Sequence, residues 1–329
     1  MTTLVYSAAA FGQHPTDRAI TSRLEIYDTE SGTRIVFKEY PYLIEAPNWT
    51  MDGKALVYNS EGKIFRVEIT DPAIDVQIPT GDVERCNNDH VLSVDGTGLA
   101  ISSSSPKEGG WLSRIYVLPL AGGTPRLVTP EGPSFLHGWS PDGSTLAYTA
   151  QRGGGGYFNI YAIAADGSAP EVRLTTTDAL DDGPEYSRDG RHIWFNSTRT
   201  GLMQVWRMNP DGSEQTQITT DETRNSWFPH ISPDGKTVVY IAYAKGDVAP
   251  GDHPAGKNVE LRLMTLVDCG KCGKGCDCGE DCQCGEWSEP ATIVKLFGGQ
   301  GTINVNSWSP DSRRFAFVSY EYGPKKTRD

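Results

Sequence analysis

The chain has 329 residues and a formal net charge of −12 at neutral pH, which excludes a nucleic-acid backbone or an anionic membrane surface as its expected partner. No apolar run approaches the ~20 residues that span a bilayer, so no membrane insertion is expected. Its 36 glycines and 21 prolines suit a chain of many turns, and no stretch carries a helical apolar period.

The first fifteen residues, MTTLVYSAAAFGQHP, lack the basic flank and apolar core of an export signal, so a cytoplasmic protein is expected. Arg23 to Asp28 and Arg34 to Tyr40 then read as two strands joined through Ser31-Gly32. Beyond them one short pattern recurs as NWTMDG, VLSVDG, GWSPDG, EYSRDG, HISPDG and SWSPDS. Aligned on Thr50, Ser93, Ser140, Ser187, Ser232 and Ser309, the copies lie 43, 47, 47, 45 and 77 residues apart. The fullest copy runs from His137 to Thr175 and contains four short β-rich runs separated by Asp-Gly turns and a Gly-rich loop. Asp-Gly between apolar runs is a hairpin signal, because the tightest turns need a positive φ that glycine adopts freely.

A four-stranded unit repeating at about 40–45 residues predicts a β-propeller, each unit forming one blade around a channel. Six anchors predict an all-β, six-bladed propeller, a single domain over residues 1–329. The last anchor is followed by only two strands, so Arg23 to Tyr40 are expected to supply the outer pair and close the ring. The 77-residue spacing is accounted for by two insertions in blade five, a rim loop at 244–257 and a cysteine-rich segment at 268–286.

Repeats of the form xWSPDGxxLAYxS…IYxxxxDG resemble the PD40 (WD40-like) repeats of the TolB propeller family over nearly the whole chain. The resemblance implies six blades and a propeller face that binds a protein, as the periplasmic founder binds a lipoprotein. Similar propellers serve as gating domains of prolyl-type peptidases and as catalytic domains of oligogalacturonate lyases. No G-x-S-x-G elbow follows the repeats here, which excludes the peptidase reading.

Candidate site residues follow from the register. The first strand of each blade lines the channel, and the positions two and three before the anchor include His90, His137 and His230. Glu45, Asp89, Asp181 and Asp182 lie close by in sequence, and Glu185 precedes its anchor by two. His253 sits on the long rim loop, Gln300 and Asn304 enter from the last blade, and Trp227 is the aromatic residue placed to stack on a ligand. Imidazole, carboxylate and amide groups converging from several loops suit a divalent metal, a polar ligand or acid–base chemistry. The same groups also serve merely to cap strands, and His14 and His192 are assigned that structural role. The register-matched Trp49, Trp139, Tyr186 and Trp308 are assigned to packing between blades.

Two functions remain open. One is a metal-assisted lyase or hydrolase acting on a sugar-like or acidic small molecule. The other is a non-enzymatic module that grips a peptide or protein at its mouth. Separately, Cys269, Cys272, Cys276, Cys278, Cys282 and Cys284 fall within sixteen residues at Cys-x-Cys and Cys-x-x-Cys spacings. That spacing gathers thiolates around Zn or another thiophilic metal. Cys86 stands alone and is expected to be buried.

Overall fold

The computed structural model describes residues 14–107, 110–154, 156–268 and 285–325. Every regular element among them is a β-strand. Blade one consists of Glu45–Trp49, Ala55–Ser60, Lys63–Glu68 and Asp75–Ile78, each antiparallel to the next. Blades two, three and four repeat this order, beginning with Cys86–Leu92, Ser134–Trp139 and Asp181–Tyr186.

Blade five starts at Arg224–Ile231 and Thr237–Ala244, and its third strand, Lys257–Asp268, pairs with Ala291–Gly298. The third strand overshoots the sheet, and its far end pairs with the short strand Gly285–Trp287, so the base of the second insertion is a two-stranded ribbon. The six clustered cysteines lie outside the described residues. Cys86, as expected, is buried with a free thiol.

The closing blade joins distant parts of the chain. Arg314–Lys325 pairs with Arg18–Asp28, which pairs with Thr33–Tyr40. On the channel side Trp308 bridges to Phe315 and completes the blade. The strands expected from the sequence therefore form the outer pair, with the first beginning five residues earlier. The buried Glu25 carboxylate ties this blade across its width, accepting hydrogen bonds from Arg34 on one side and Ser319 on the other.

The recurrent Ser-x-Asp-Gly makes the same turn in every blade. The anchor hydroxyl donates to the Asp carboxylate two residues on, at 2.5–2.6 Å for Thr50, Ser93, Ser140, Ser187 and Ser232, and likewise for Ser309. The backbone N–H two residues past the Asp donates to the same carboxylate. The N–H five past the anchor returns to the anchor hydroxyl. Glycine follows the Asp at φ of 71–76° in five copies, while Ser312 takes 61° in the sixth. The motif is thus a local hydrogen-bond cage that sets where the first strand ends and the second begins.

Removing residues 1–40 takes away both outer strands of the closing blade and should leave an open ring that aggregates. A truncated chain that stays soluble and melts cooperatively would contradict this closure. Ser140→Ala removes one cage and should cost about 1–2 kcal/mol in urea unfolding without changing the fold.

Candidate functional site

The inner strands are not straight. Register shifts interrupt them between Glu45 and Asn48, Cys86 and His90, Leu136 and Gly138, Asp182 and Glu185, and Trp227 and His230. Such bulges bend a strand and re-aim its side chains. Ala46 and Phe228 sit in them at φ of 54° and 52°, and Gly183 at 62°. Glycine is required at the last, since a Cβ would lie 2.8 Å from the Asn196 amide oxygen and 3.1 Å from the Phe228 ring.

Five of the six residues that stand five before an anchor, Glu45, Asn88, Phe135, Asp182 and Asn304, line a cavity of about 420 Å³ at the channel mouth; the sixth is Trp227. Asp89, His137, His253, Gln300 and His14 complete its polar wall, and Phe135 and Phe228 give it an apolar side.

His137 and Asp182 form the centre of the wall. The His137 Nε2 lies 3.4 Å from Asp182 Oδ1, and its ring stacks on Phe228 with centroids 5.6 Å apart. Asp182 also accepts hydrogen bonds from the Thr149 hydroxyl and the Gly183 N–H, both at 2.7 Å. Burial opposes charge on both groups. Asp89 and Asp182 nevertheless raise the pKa of His137, and His137 in turn lowers that of Asp182, so each group favours the charged form of the other.

Two further carboxylates are treated differently. Burial raises Asp89 to about 6, with His137 opposing the shift and Asp182 adding to it. Burial raises Glu45 to about 7, with Asn59 opposing and Asp89 reinforcing. Among the described residues no lysine or arginine forms an ion pair with Glu45, Asp89 or Asp182. The nearest cation-capable group to Glu45 is His14, 3.9 Å away, and burial lowers that imidazole to about 4. His253 is also lowered, chiefly by burial, and donates through Nδ1 to the Gln300 amide oxygen.

Of the residues expected at the mouth, His137, Asp182, His253, Gln300 and Asn304 therefore meet in one cavity. Four others lie elsewhere. His90 is fully buried, because the bulge in blade two falls just before it; His90 pairs with Ile101 in the regular ladder while Asp89 takes the channel position. Burial lowers His90 to about 4. His230 and Glu185 form a closed pair deeper in the channel at 2.5 Å, with His230 Nε2 against the Ile303 carbonyl and Glu185 also held by Asn306 and the Ile231 N–H. Trp227 is completely buried and supports His253, ring centroids 4.3 Å apart, so its face is not open to a ligand. Conversely His14, assigned a structural role from sequence, lines the cavity, holding the Tyr322 hydroxyl at 2.9 Å. Glu45, Asn88 and Asp89 belong to the site as well; Glu45 and Asn88 share an offset of five from the anchor, one tier above the histidines, and Asp89 adjoins Asn88 at four. Among the described residues no three His, Cys, Asp or Glu side chains are arranged to hold a metal ion.

A six-bladed ring with one polar mouth and a caged Ser-x-Asp turn in every blade defines a propeller of the repeat-built binding class. Comparison with known proteins gives the family. The PD40 family, the TolB beta propeller domain, matches residues 92–265. The chain is 41% identical over 302 residues to the uncharacterized protein Atu1656 of Agrobacterium fabrum, covering 92% of this chain and 93% of that one. It is similar to the structure of a TolB-like protein from Agrobacterium tumefaciens, with a TM-score of 0.79 and 43% identity over 93% and 99% of the two chains. The Tol-Pal system protein TolB of Francisella tularensis is 28% identical over 217 residues, 63% of this chain and 47% of that protein. The chain thus spans about half the length of that relative. It belongs to the TolB β-propeller family.

The raised carboxylates make a testable statement about stability. Between their ordinary values and their raised ones, folded Glu45 and Asp89 hold protons that the unfolded chain has released, so stability falls as pH rises through about 4 to 7. Glu45→Gln and Asp89→Asn should therefore raise the melting temperature at pH 8 and leave it nearly unchanged at pH 4. Destabilisation at pH 8 would show that the carboxylates are structurally required.

Proposed function

We propose that this propeller is a protein-binding module whose mouth receives the protonated amine or guanidinium of a partner segment. The observation that carries the reading is the pair of cavity carboxylates, Glu45 and Asp89, that no lysine or arginine among the described residues compensates. Asp182 is balanced by His137; the remaining negative charge is left for a ligand. Buried charge without a partner is costly, and a cation brought into the cavity offsets that cost. Phe135 and Phe228 supply the apolar wall that the methylene stem of lysine or arginine covers.

An acidic small molecule, the ligand class considered for an enzyme, would meet four carboxylates here, Glu45, Glu61, Asp89 and Asp182, with no cationic side chain but His137. A protein partner agrees with the TolB relatives, whose family binds proteins through the propeller. The Tol-Pal system itself is not carried over, because only half of the Francisella protein is matched.

Calorimetric titration with short peptides tests the proposal. Peptides bearing Lys or Arg should bind, and the same peptides with norleucine in place of the basic residue should bind at least about tenfold more weakly. Affinity should fall from pH 7.5 to pH 5.5, as Glu45 and Asp89 take up protons, and Asp89→Asn should weaken it at the higher pH. Equal binding of the norleucine peptides, or an affinity flat across that pH range, would overturn the reading.

A further inference from the structure

The channel has a second opening, on the face formed by the six Ser-x-Asp turns. It holds a cavity of about 490 Å³, within the range of small-molecule sites. The Glu185–His230–Asn306 network lies between it and the mouth, and His137 borders both cavities. Its shape follows from the repeat. The residue after each anchor rings the rim, and the residue before each anchor builds the wall below it.

The wall is aromatic: Trp49, Trp139, Tyr186 and Trp308 all face this cavity, with Leu92 and Ile231 between them. The Trp139 ring is held by its N–H donating to the Gly143 carbonyl at 3.0 Å, and that of Trp308 by donation to the His230 carbonyl at 3.0 Å. The corresponding N–H of Trp49 is buried and has no acceptor. Beside it Asn48, also a lining residue and 3% exposed, donates to the Asn306 carbonyl at 2.7 Å while its own amide oxygen has no donor. Both atoms are enclosed within the protein and present no surface to the cavity.

The rim carries one cation. Arg188 reaches from blade four to the Met51 sulfur of blade one, on the opposite side of the ring, at 3.2 Å. Among the described residues it forms no ion pair with a carboxylate. Two aspartates at the same rim, Asp234 and Asp311, are engaged within their own turns by Ser232 and the Lys236 N–H, and by Ser309 and the Arg313 N–H. Burial lowers the pKa of Arg188, with no anion to offset it.

We propose that this opening is a second ligand site, which takes a small aromatic carboxylate. The carboxylate pairs with Arg188 and displaces its contact with Met51, and the ring lies among the indoles. An aromatic body suits a wall of offset rings, and a guanidinium matches a carboxylate in a bidentate pair.

The probe is phenylacetate, titrated into the full chain and followed by calorimetry and tryptophan fluorescence. Saturable binding is expected, weakened at least about tenfold in Arg188→Gln and at least about tenfold for the neutral phenylacetamide. Arg188→Gln should melt as the unaltered chain does, so that lost binding reports the site. Absence of saturable binding, equal binding of the acid and the amide, or loss of binding in Asp89→Asn with Arg188→Gln unaffected would each overturn the proposal.

Discussion

The channel exists only because the ring is closed, and the ring is closed by strand pairing between residues about 300 positions apart. From Ile20↔Tyr322 to Asp28↔Arg314 the two segments pair continuously, so no blade is left with an open edge at the join. Side chains reinforce the ladder. Glu25 is held from both neighbouring strands, and at the surface Arg23 donates to Glu39 and to Glu321, linking the same three strands. Buried ionic groups of this kind contribute more to choosing one register than to net stability, because removing one partner strands the other. Here the register matters twice over, since it also sets the height at which Tyr320 reaches the Ile44 carbonyl and His14 reaches Tyr322, both beside the mouth.

Within the closed ring, two local devices assign residues to tiers. The Ser-x-Asp cage fixes the end of each inner strand, and its flanking residues necessarily surround one opening. The bulge, three to five residues earlier, interrupts the period-2 alternation and brings adjacent residues to the other opening. Between the two lies the stretch from Asn48 to Asn306 across the channel, where hydrogen bonds link Asn48, Glu185, His230 and Asn306. The channel holds two cavities, one with Glu45, Asp89, His137 and Asp182 in its wall, the other walled by aromatic side chains with Arg188, Asp234 and Asp311 at its rim.

Legibility from sequence follows the same division. The six anchors, the closing blade and the blade-five insertions could be read because each rests on local turn chemistry or on repeat spacing. The contribution of the rim loop through His253 could also be read, since a loop of that length in that place has to overhang the mouth. The depth of each channel residue could not. Counting back from the anchor assumes an unbroken strand, and one bulge is enough to send His90 into the sheet and bring Asp89 out. The bulge itself has no single sequence mark: it is occupied by alanine in blade one, glycine in blade four and phenylalanine in blade five, two of them at a φ that is unusual for their type. Nor does local sequence reveal that Trp227 is covered by His253, or that His14 folds back over the mouth, because both are contacts across large separations.

The charge of the whole chain and the charge of the mouth act in the same direction but at different ranges. A net charge of −12 draws cationic partners from a distance, an effect that salt screens over about 10 Å. Inside the cavity screening is weaker, and the balance there depends on His137. With that imidazole protonated, Asp182 is neutralised and the acidity is confined to Glu45, Glu61 and Asp89 on the side toward blades one and two. The neutral His14 and His253 flank this patch without cancelling it, because burial keeps both uncharged. The mouth is therefore not uniformly negative but divided, the His137–Asp182 pair on one side and those carboxylates on the other. A ligand carrying one positive charge fits that division in one orientation, so the fixed pair supplies direction while the free carboxylates supply attraction.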